Sequence, residues 1–151
     1  MNQAQIRPYT IEDRLPLLEV FWQNVPTFFD PSEIADLEAY LDQKPLTYFV
    51  LVDQELRLGG AGLRLSNEGK TGHITWIFFH PACQGKGFGS KLLHHCLARL
   101  AEYEEVTRIE LTTSQLAYQF FEKFGFEVVE TQKDFWGKGL DLYRMVKEKQ
   151  G

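Results

Sequence analysis

The sequence predicts a mixed α/β (α+β) domain with one central, mostly antiparallel, twisted sheet of about seven strands, flanked by about four helices. Three observations predict it. The chain has 151 residues, the length of one domain, and residues 1–151 are read as a single unit without repeats, linkers or low-complexity stretches. Short β-branched and aromatic runs alternate with stretches of helical period, but not as a regular βαβ repeat. Three of the strand-like runs are joined by only three or four polar residues, which argues for antiparallel neighbours.

Taken in order, residues 5–9 form a short strand. A helical stretch follows with Leu15, Leu18, Val20, Phe21 and Trp22 apolar, and Pro16 leaves its start ambiguous. Asn24 to Phe29 is an aromatic loop. Asp30-Pro31-Ser32-Glu33 is a capping signal for a second helix whose apolar face is Ile34, Leu37 and Leu41. Thr47 to Val52, Leu56 to Leu65 and Thr71 to Phe79 are the three strand runs, turned at Asp53-Gln54-Glu55 and Ser66-Asn67-Glu68-Gly69. Residues 87–103 form a helix with Leu92, Leu93, Cys96, Leu97 and Leu100 on one face. Arg108 to Thr112 is a strand, and Gln115 to Phe124 a helix stopped by Gly125. Phe126 to Glu130 and Leu140 to Val146 are the last strands.

Composition narrows the function. Hydrophobic residues are 44% of the chain, too many for a disordered segment, and aromatics are 14%, enough for a core and a pocket wall. No apolar run approaches the ~20 residues of a membrane helix, so no membrane partner is expected. The formal net charge of −5 argues against a general nucleic-acid binder. The first residues contain no secretory h-region, and Cys83 and Cys96 are too few for a disulfide scaffold, so a reducing cytoplasm is the expected compartment. Neither cysteine, nor His80, His94 or His95, has metal-ligand spacing, and no metal is expected.

Chemistry concentrates in the segment from Phe79 to Leu93. A strand runs into a tight turn, Gln84-Gly85-Lys86-Gly87-Phe88-Gly89-Ser90, and then into a helix. Glycines at φ > 0 expose backbone N–H groups, and the helix N-terminus behind them adds its dipole, so the turn suits a phosphate or pyrophosphate. Lys86 adds a point charge. Gly89-Ser90-Lys91 fails the Walker order, and Gly85 and Gly87 are followed by Ser90 where a dinucleotide fold needs glycine.

The chain here resembles the GNAT superfamily of acyl-CoA-dependent N-acyltransferases. Ile77-Phe78-Phe79-His80-Pro81, then Gln84, Gly87 and Gly89, match its Q/R-x-x-G-x-G/A signature after an apolar strand. A second signature is matched by Ala117-Tyr118-Gln119-Phe120-Phe121-Glu122-Lys123-Phe124-Gly125-Phe126. The likeness covers residues 74–126; outside them only the element order agrees. It implies a single GNAT-like domain that uses acetyl-CoA, or a related acyl-CoA, as cosubstrate. The pyrophosphate would lie on the N–H groups of Gln84, Gly85, Lys86, Gly87, Phe88, Gly89 and Ser90. The pantetheine arm would run between strands 71–79 and 108–112, along the backbone of Ile77 and Phe79. The Ile77 N–H is the candidate donor to the developing oxyanion. Transfer to a primary amine of a small molecule or peptide, by direct attack, is the expected reaction, and a homodimer is an option that such proteins bring.

An amine of pKa ~10.4 needs a base, and His73 stands where some family members carry a catalytic Glu; an ordinary sheet histidine fits there as well. Ser114 replaces a frequent Asn. Phe121 replaces the Tyr that often protonates the leaving thiolate, and Tyr118, one helical turn earlier, is a substitute or simply a packed tyrosine. Phe28, Phe29 and Trp136, with Phe135 in the connection between the last strands, are expected acceptor-pocket walls. The acids Asp30, Glu33, Asp36 and Glu38 could draw a cationic amine toward the site, but a cap and a solvated face is the favoured reading. A non-catalytic acyl-CoA-binding module is the alternative, because Phe121 lacks a proton; a structural domain that keeps only the fold would not need Gln84, Gly87 and Gly89.

Overall fold

In the computed structural model, which describes residues 4–149, strand 48–53 is enclosed from both sides. Seven strands form one sheet: β1 (Gln5–Pro8), β2 (Tyr48–Asp53), β3 (Leu56–Ser66), β4 (Thr71–Phe79), β5 (Arg108–Thr113), β6 (Glu127–Gly137) and β7 (Leu140–Glu148). Their order across the sheet is β1-β2-β3-β4-β5-β7-β6. Only β4 and β5 are parallel neighbours; every other pair is antiparallel. Among the described residues, four α-helices complete the fold: α1 (Arg14–Trp22), α2 (Glu33–Leu41), α3 (Phe88–Ala101) and α4 (Tyr118–Glu122). The predicted class, strand count and helix count agree with this. None of the helices is long and apolar enough to cross a membrane, among the described residues.

The two faces of the sheet have separate cores. Tyr48, Val50 and Val52 pack with Leu17, Phe21, Leu37 and Leu41 of α1 and α2. On the other face, Leu92, Leu93, Cys96 and Leu100 of α3 are fully buried against Ile74, Ile109, Leu111 and Met145. Burial on both faces is why β2 is apolar without alternation. The glycines of β3 leave room for tyrosine rings: a Cβ at Gly60 would run into Tyr48, and one at Gly62 into the Tyr40 hydroxyl. Pro16 is the third residue of α1, where its missing N–H has no intrahelical partner to lose.

Just before α1, Asp13 is fully buried. Its carboxylate accepts two bonds from Arg7, both 2.8 Å, one from Arg57 at 2.9 Å and one from the Thr10 N–H at 2.8 Å. Burial alone would raise its pKa, but those bonds hold the carboxyl well below the usual carboxylate range.

Two departures in the sheet position the site. Gly60 pairs with Phe78 and Gly62 with Thr75, so Trp76 and Ile77 together stand opposite Ala61. This is a β-bulge, with Trp76 at φ +48. Strict alternation would put Ile74 and Phe78 on one face. Instead Ile74 packs in the α3 core and Phe78 in the α1/α2 core. The second departure is that β4 and β5 pair only from Thr71–Arg108 to His73–Glu110 and then diverge.

Three expectations on element extent are corrected. The helix expected over 115–124 is limited to Tyr118–Glu122, with turns on either side. The strand expected over 126–130 continues to Gly137, as an edge strand exposed along most of its length that carries no alternation signal. Phe135 and Trp136 therefore end a strand and do not sit in the connecting loop.

Candidate active site

The divergence of β4 from β5 opens a cleft of about 790 Å³. It is lined by Ile77 and Phe79 of β4, by the glycine turn and by Leu116, Ala117, Phe120 and Phe121. Phe28, Phe29, Trp76 and Trp136 line it too, with Glu33, Arg64, His73, Glu110 and Arg144.

The turn has the geometry of an anion cradle. Gly85 and Gly87 adopt φ +78 and +79, which glycine reaches without steric cost, and a Cβ on either would point into open space. The N–H groups of Gln84 and Lys86 are already taken, by the carbonyls of Pro81 and Cys83. Those of Gly85, Gly87, Phe88, Gly89 and Ser90 meet no backbone carbonyl among the described residues. Five donors at the start of α3 fit the pyrophosphate of an acyl-CoA. Gly89 has a different reason to be glycine. A Cβ there would stand 2.9 Å from the Phe79 ring and 3.2 Å from that of Phe120, so it lets α3 approach the strand. Phe88 contributes only its N–H, because its ring is buried with Leu51 and Cys83. The Lys86 side chain is not part of the cleft wall.

The loops that line the cleft are pinned. Asn24, buried, donates from Nδ2 to the carbonyls of Val20 (3.0 Å) and Phe79 (3.2 Å), tying the aromatic loop to β4. Phe29 then packs on Phe21, with ring centroids 4.7 Å apart, and on Phe78. Trp136 donates from Nε1 to the Thr113 carbonyl at 3.1 Å. Gln115 clamps the β6–β7 turn, donating to the Gly139 carbonyl (2.7 Å) and accepting from the Asp141 N–H (2.9 Å). The Asp30 carboxylate occupies the space where a side chain at Gly137 would stand, so the α1–α2 loop reaches the end of β6 over the cleft.

The titratable groups here differ in state. His73 has Nε2 2.6 Å from Ser66 Oγ and Nδ1 4.0 Å from a Glu110 oxygen. Burial lowers its pKa, Arg64 lowers it further, and Glu110 opposes both. Glu110 is itself matched by Arg108 and Arg144, each at 3.2 Å. Glu33 is 7% exposed, and its Oε2 accepts the Asp30 N–H at 2.9 Å. Burial pushes its carboxyl up to about 7; that hydrogen bond opposes the shift, while Asp30 and Asp36 reinforce it. Cys83 has its thiol raised by burial, so it is not an activated nucleophile.

Of the residues singled out from sequence, the cleft gathers His73, Ile77, Phe79, Gln84, Gly85, Gly87, Gly89, Ser90, Ser114, Phe28, Phe29 and Trp136. Tyr118 is not in the cleft wall: its ring lies against Tyr143, with centroids 4.7 Å apart. Ser114 is buried, and its Oγ accepts the Leu116 N–H at 3.2 Å. Glu33, named from sequence among four acids but favoured as part of a solvated face, is instead buried and lines the cleft. The capping signature absorbed it as a solvated acid, and only the Phe28-Phe29 pair just before it hinted at enclosure.

Residues 19–149 match the acetyltransferase (GNAT) domain family. No curated protein sequence matches the chain. Among solved structures, a protein from Desulfovibrio desulfuricans assigned to the GNAT acetyltransferases superposes with a TM-score of 0.82 at 19% identity, over 97% of this chain and 99% of its own. The ribosomal-protein-S18-alanine N-acetyltransferase of Escherichia coli gives 0.80 at 14% identity, over 99% and 96%. An aminoglycoside 6'-N-acetyltransferase complexed with coenzyme A gives 0.77 at 14% identity, over 97% and 98%. Identities this low speak to the fold.

Proposed function

The chain belongs to the GNAT acetyltransferase family, and from that premise we propose that residues 1–151 act as one N-acyltransferase, moving an acetyl group from acetyl-CoA to a primary amine. The observation that carries this reading is the meeting, in one cleft, of a five-donor anion cradle and a strand whose partner has diverged from it.

Each part has a role in the chain's own residues. The N–H groups of Gly85 and of Gly87 to Ser90 would hold the pyrophosphate. Ile77 and Phe79, past the last β4–β5 pair, would offer backbone groups to the amide-bearing arm. The bulge leaves Ile77 without a single register partner on β3, and its N–H would serve as the donor for a developing oxyanion. The thioester supplies an activated acyl carbon and a thiol leaving group titrating near ~8.5, so a thiolate departs without full protonation. Neither Phe121 nor the packed Tyr118 is needed as an acid.

Burial shifts two titratable groups that line the cleft: His73 is held below the usual imidazole value, and Glu33 is pushed up to about 7, suited to proton transfer near neutral pH. Four aromatic walls support an acceptor with an apolar body.

The experiment is calorimetric titration of acetyl-CoA together with thiol release over a panel of amines. Gly87→Val should weaken acetyl-CoA binding at least tenfold, because a branched residue cannot hold φ +79 and its side chain would fill the cradle. Unchanged affinity would overturn the cradle. Binding without thiol release for any amine would favour the non-catalytic module.

A further inference from the structure

The cleft holds two carboxylates, and they differ in what surrounds them. Glu110 is matched by two arginines. Glu33 has no Lys, Arg or His within salt-bridge distance among the described residues, and only one of its oxygens carries a hydrogen bond, from the Asp30 N–H. It is more than nine-tenths buried, and it lines the cleft beside Phe28, Phe29, Trp76 and Trp136. A buried carboxylate with a vacant oxygen and aromatic neighbours lacks one thing, a cation.

Its height along the cleft fits the chemistry. Phe29, just before α2, packs on Phe78, and Phe21 lies between Phe29 and Trp76. Trp136 is bonded to Thr113, and Asp30 lies against Gly137. The start of α2 therefore stands at the level of Trp76 and Ile77. His73 lies three to four residues back along the strand, roughly 10 Å away, and its Nε2 is engaged by Ser66.

We propose that Glu33 receives the ammonium group of the acceptor, a primary amine carried on a flat or branched apolar body, and takes its proton. This rests on the acyl-transfer reading. One N–H bond of the ammonium breaks as Glu33 gains an O–H. The freed electron pair forms the bond to the acyl carbon, the C–S bond breaks, and the departing thiolate takes the second proton that nitrogen sheds. Glu33 then returns its proton to water. Raised towards neutrality while empty, the carboxyl is drawn back to its charged form by the arriving cation. The charged groups that share the cleft or flank Glu33 are Asp30 and Asp36 on its own side, Arg64 on β3, His73 on β4, Glu110 on β5, Lys123 just after α4 and Arg144 on β7.

The test compares wild type with Glu33→Gln, whose amide oxygen can still accept the Asp30 N–H. Phenethylamine and its neutral counterpart phenethyl alcohol are titrated by calorimetry, with acetyl-CoA titrated separately. Wild type should bind the amine at least tenfold more tightly than the alcohol. Glu33→Gln should lose that preference, with acetyl-CoA affinity unchanged within twofold, and Glu33→Asp should keep part of it. For any amine that is turned over, kcat/KM should fall at least 10²-fold in Glu33→Gln, and the acidic limb near pH 7 should disappear. Equal amine binding by the two proteins, or none by wild type, would overturn the role of Glu33. Failure of wild type to bind acetyl-CoA would instead overturn the acyl-transfer reading, so the two failures are distinct.

Discussion

Asp13 and Glu33 are both buried carboxylates at the entrance to a helix, in the same layer over the sheet, and they are held in opposite states. Asp13, fully buried, collects bonds from two arginines and a backbone N–H and stays charged. Glu33, nearly as buried, has one backbone donor and two like charges nearby, and its carboxyl is pushed up to about 7. Burial is common to both, so burial does not decide the role. What decides is whether the chain supplies its own counter-charge. Where it does, the acid ties β1, β3 and the start of α1 together. Where it does not, the acid faces a cleft and its counter-charge must come from outside.

The largest effect that separates them should be on stability. Asp13→Asn leaves Arg7 and Arg57 without a shared anion and should cost about 3 kcal/mol at pH 7 in urea unfolding. The contribution of Asp13 is complete above its unfolded pKa of ~3.9 and is lost as pH falls below that, so the variant should lack part of the wild-type acid transition. A variant within ~0.5 kcal/mol of wild type would show that the network is ornamental.

Glu33→Gln should move stability the other way. Its folded pKa exceeds the unfolded ~4.3, so the native state binds the proton more tightly, and stability falls as pH rises from about 4.3 to about 7. Above that window the full deficit applies, and the variant should be more stable than wild type at pH 8 by on the order of 2 kcal/mol. Thermal melts at pH 5 and pH 8 measure this. A variant destabilised at both would mean that the carboxylate is satisfied after all.

The smallest effect is expected at His73. As a bystander to the nitrogen, it should cost about tenfold in kcat when changed to Ala, or ~1.4 kcal/mol, below the ~10²-fold typical of a direct base. If His73→Ala costs more than Glu33→Gln, the two residues exchange roles.

Where a signal is local, the sequence was legible. The turn from Gln84 to Ser90 could be read because its chemistry needs glycine at particular positions, and the face of α3 because 92, 96 and 100 repeat at the helical period. Signals that arise only on assembly were not. Glu33 sits in a good capping motif and does reach back to the Asp30 N–H, so the local reading was right and incomplete. Its cleft is closed by β6, over a hundred residues away in sequence. Trp76 carries no mark of the positive φ it adopts. The far half of β6 is an exposed edge whose polar residues look like a loop. Tyr118 shares a helix face with Phe121, but that face spans both the cleft and the packing against Tyr143.

The bulge at Trp76 and Ile77 makes the length of β4 a coding property in its own right. Side chains before it and after it answer to opposite parities: Ile74 belongs to one core and Phe78 to the other, with Phe79 turned back against Gly89. Substitutions along the strand disturb one contact each. Deletion of a single residue between Thr75 and Phe78 would remove the bulge and leave one residue opposite Ala61, with Phe78 still paired with Gly60 and every side chain downstream on its present face. It would keep Phe78 in the α1/α2 core and erase the two-against-one step at Trp76 and Ile77. Among descendants of this chain, loss of one residue there would therefore spare the two cores and remove the bulge alone, separating the fold from the local geometry of the cleft.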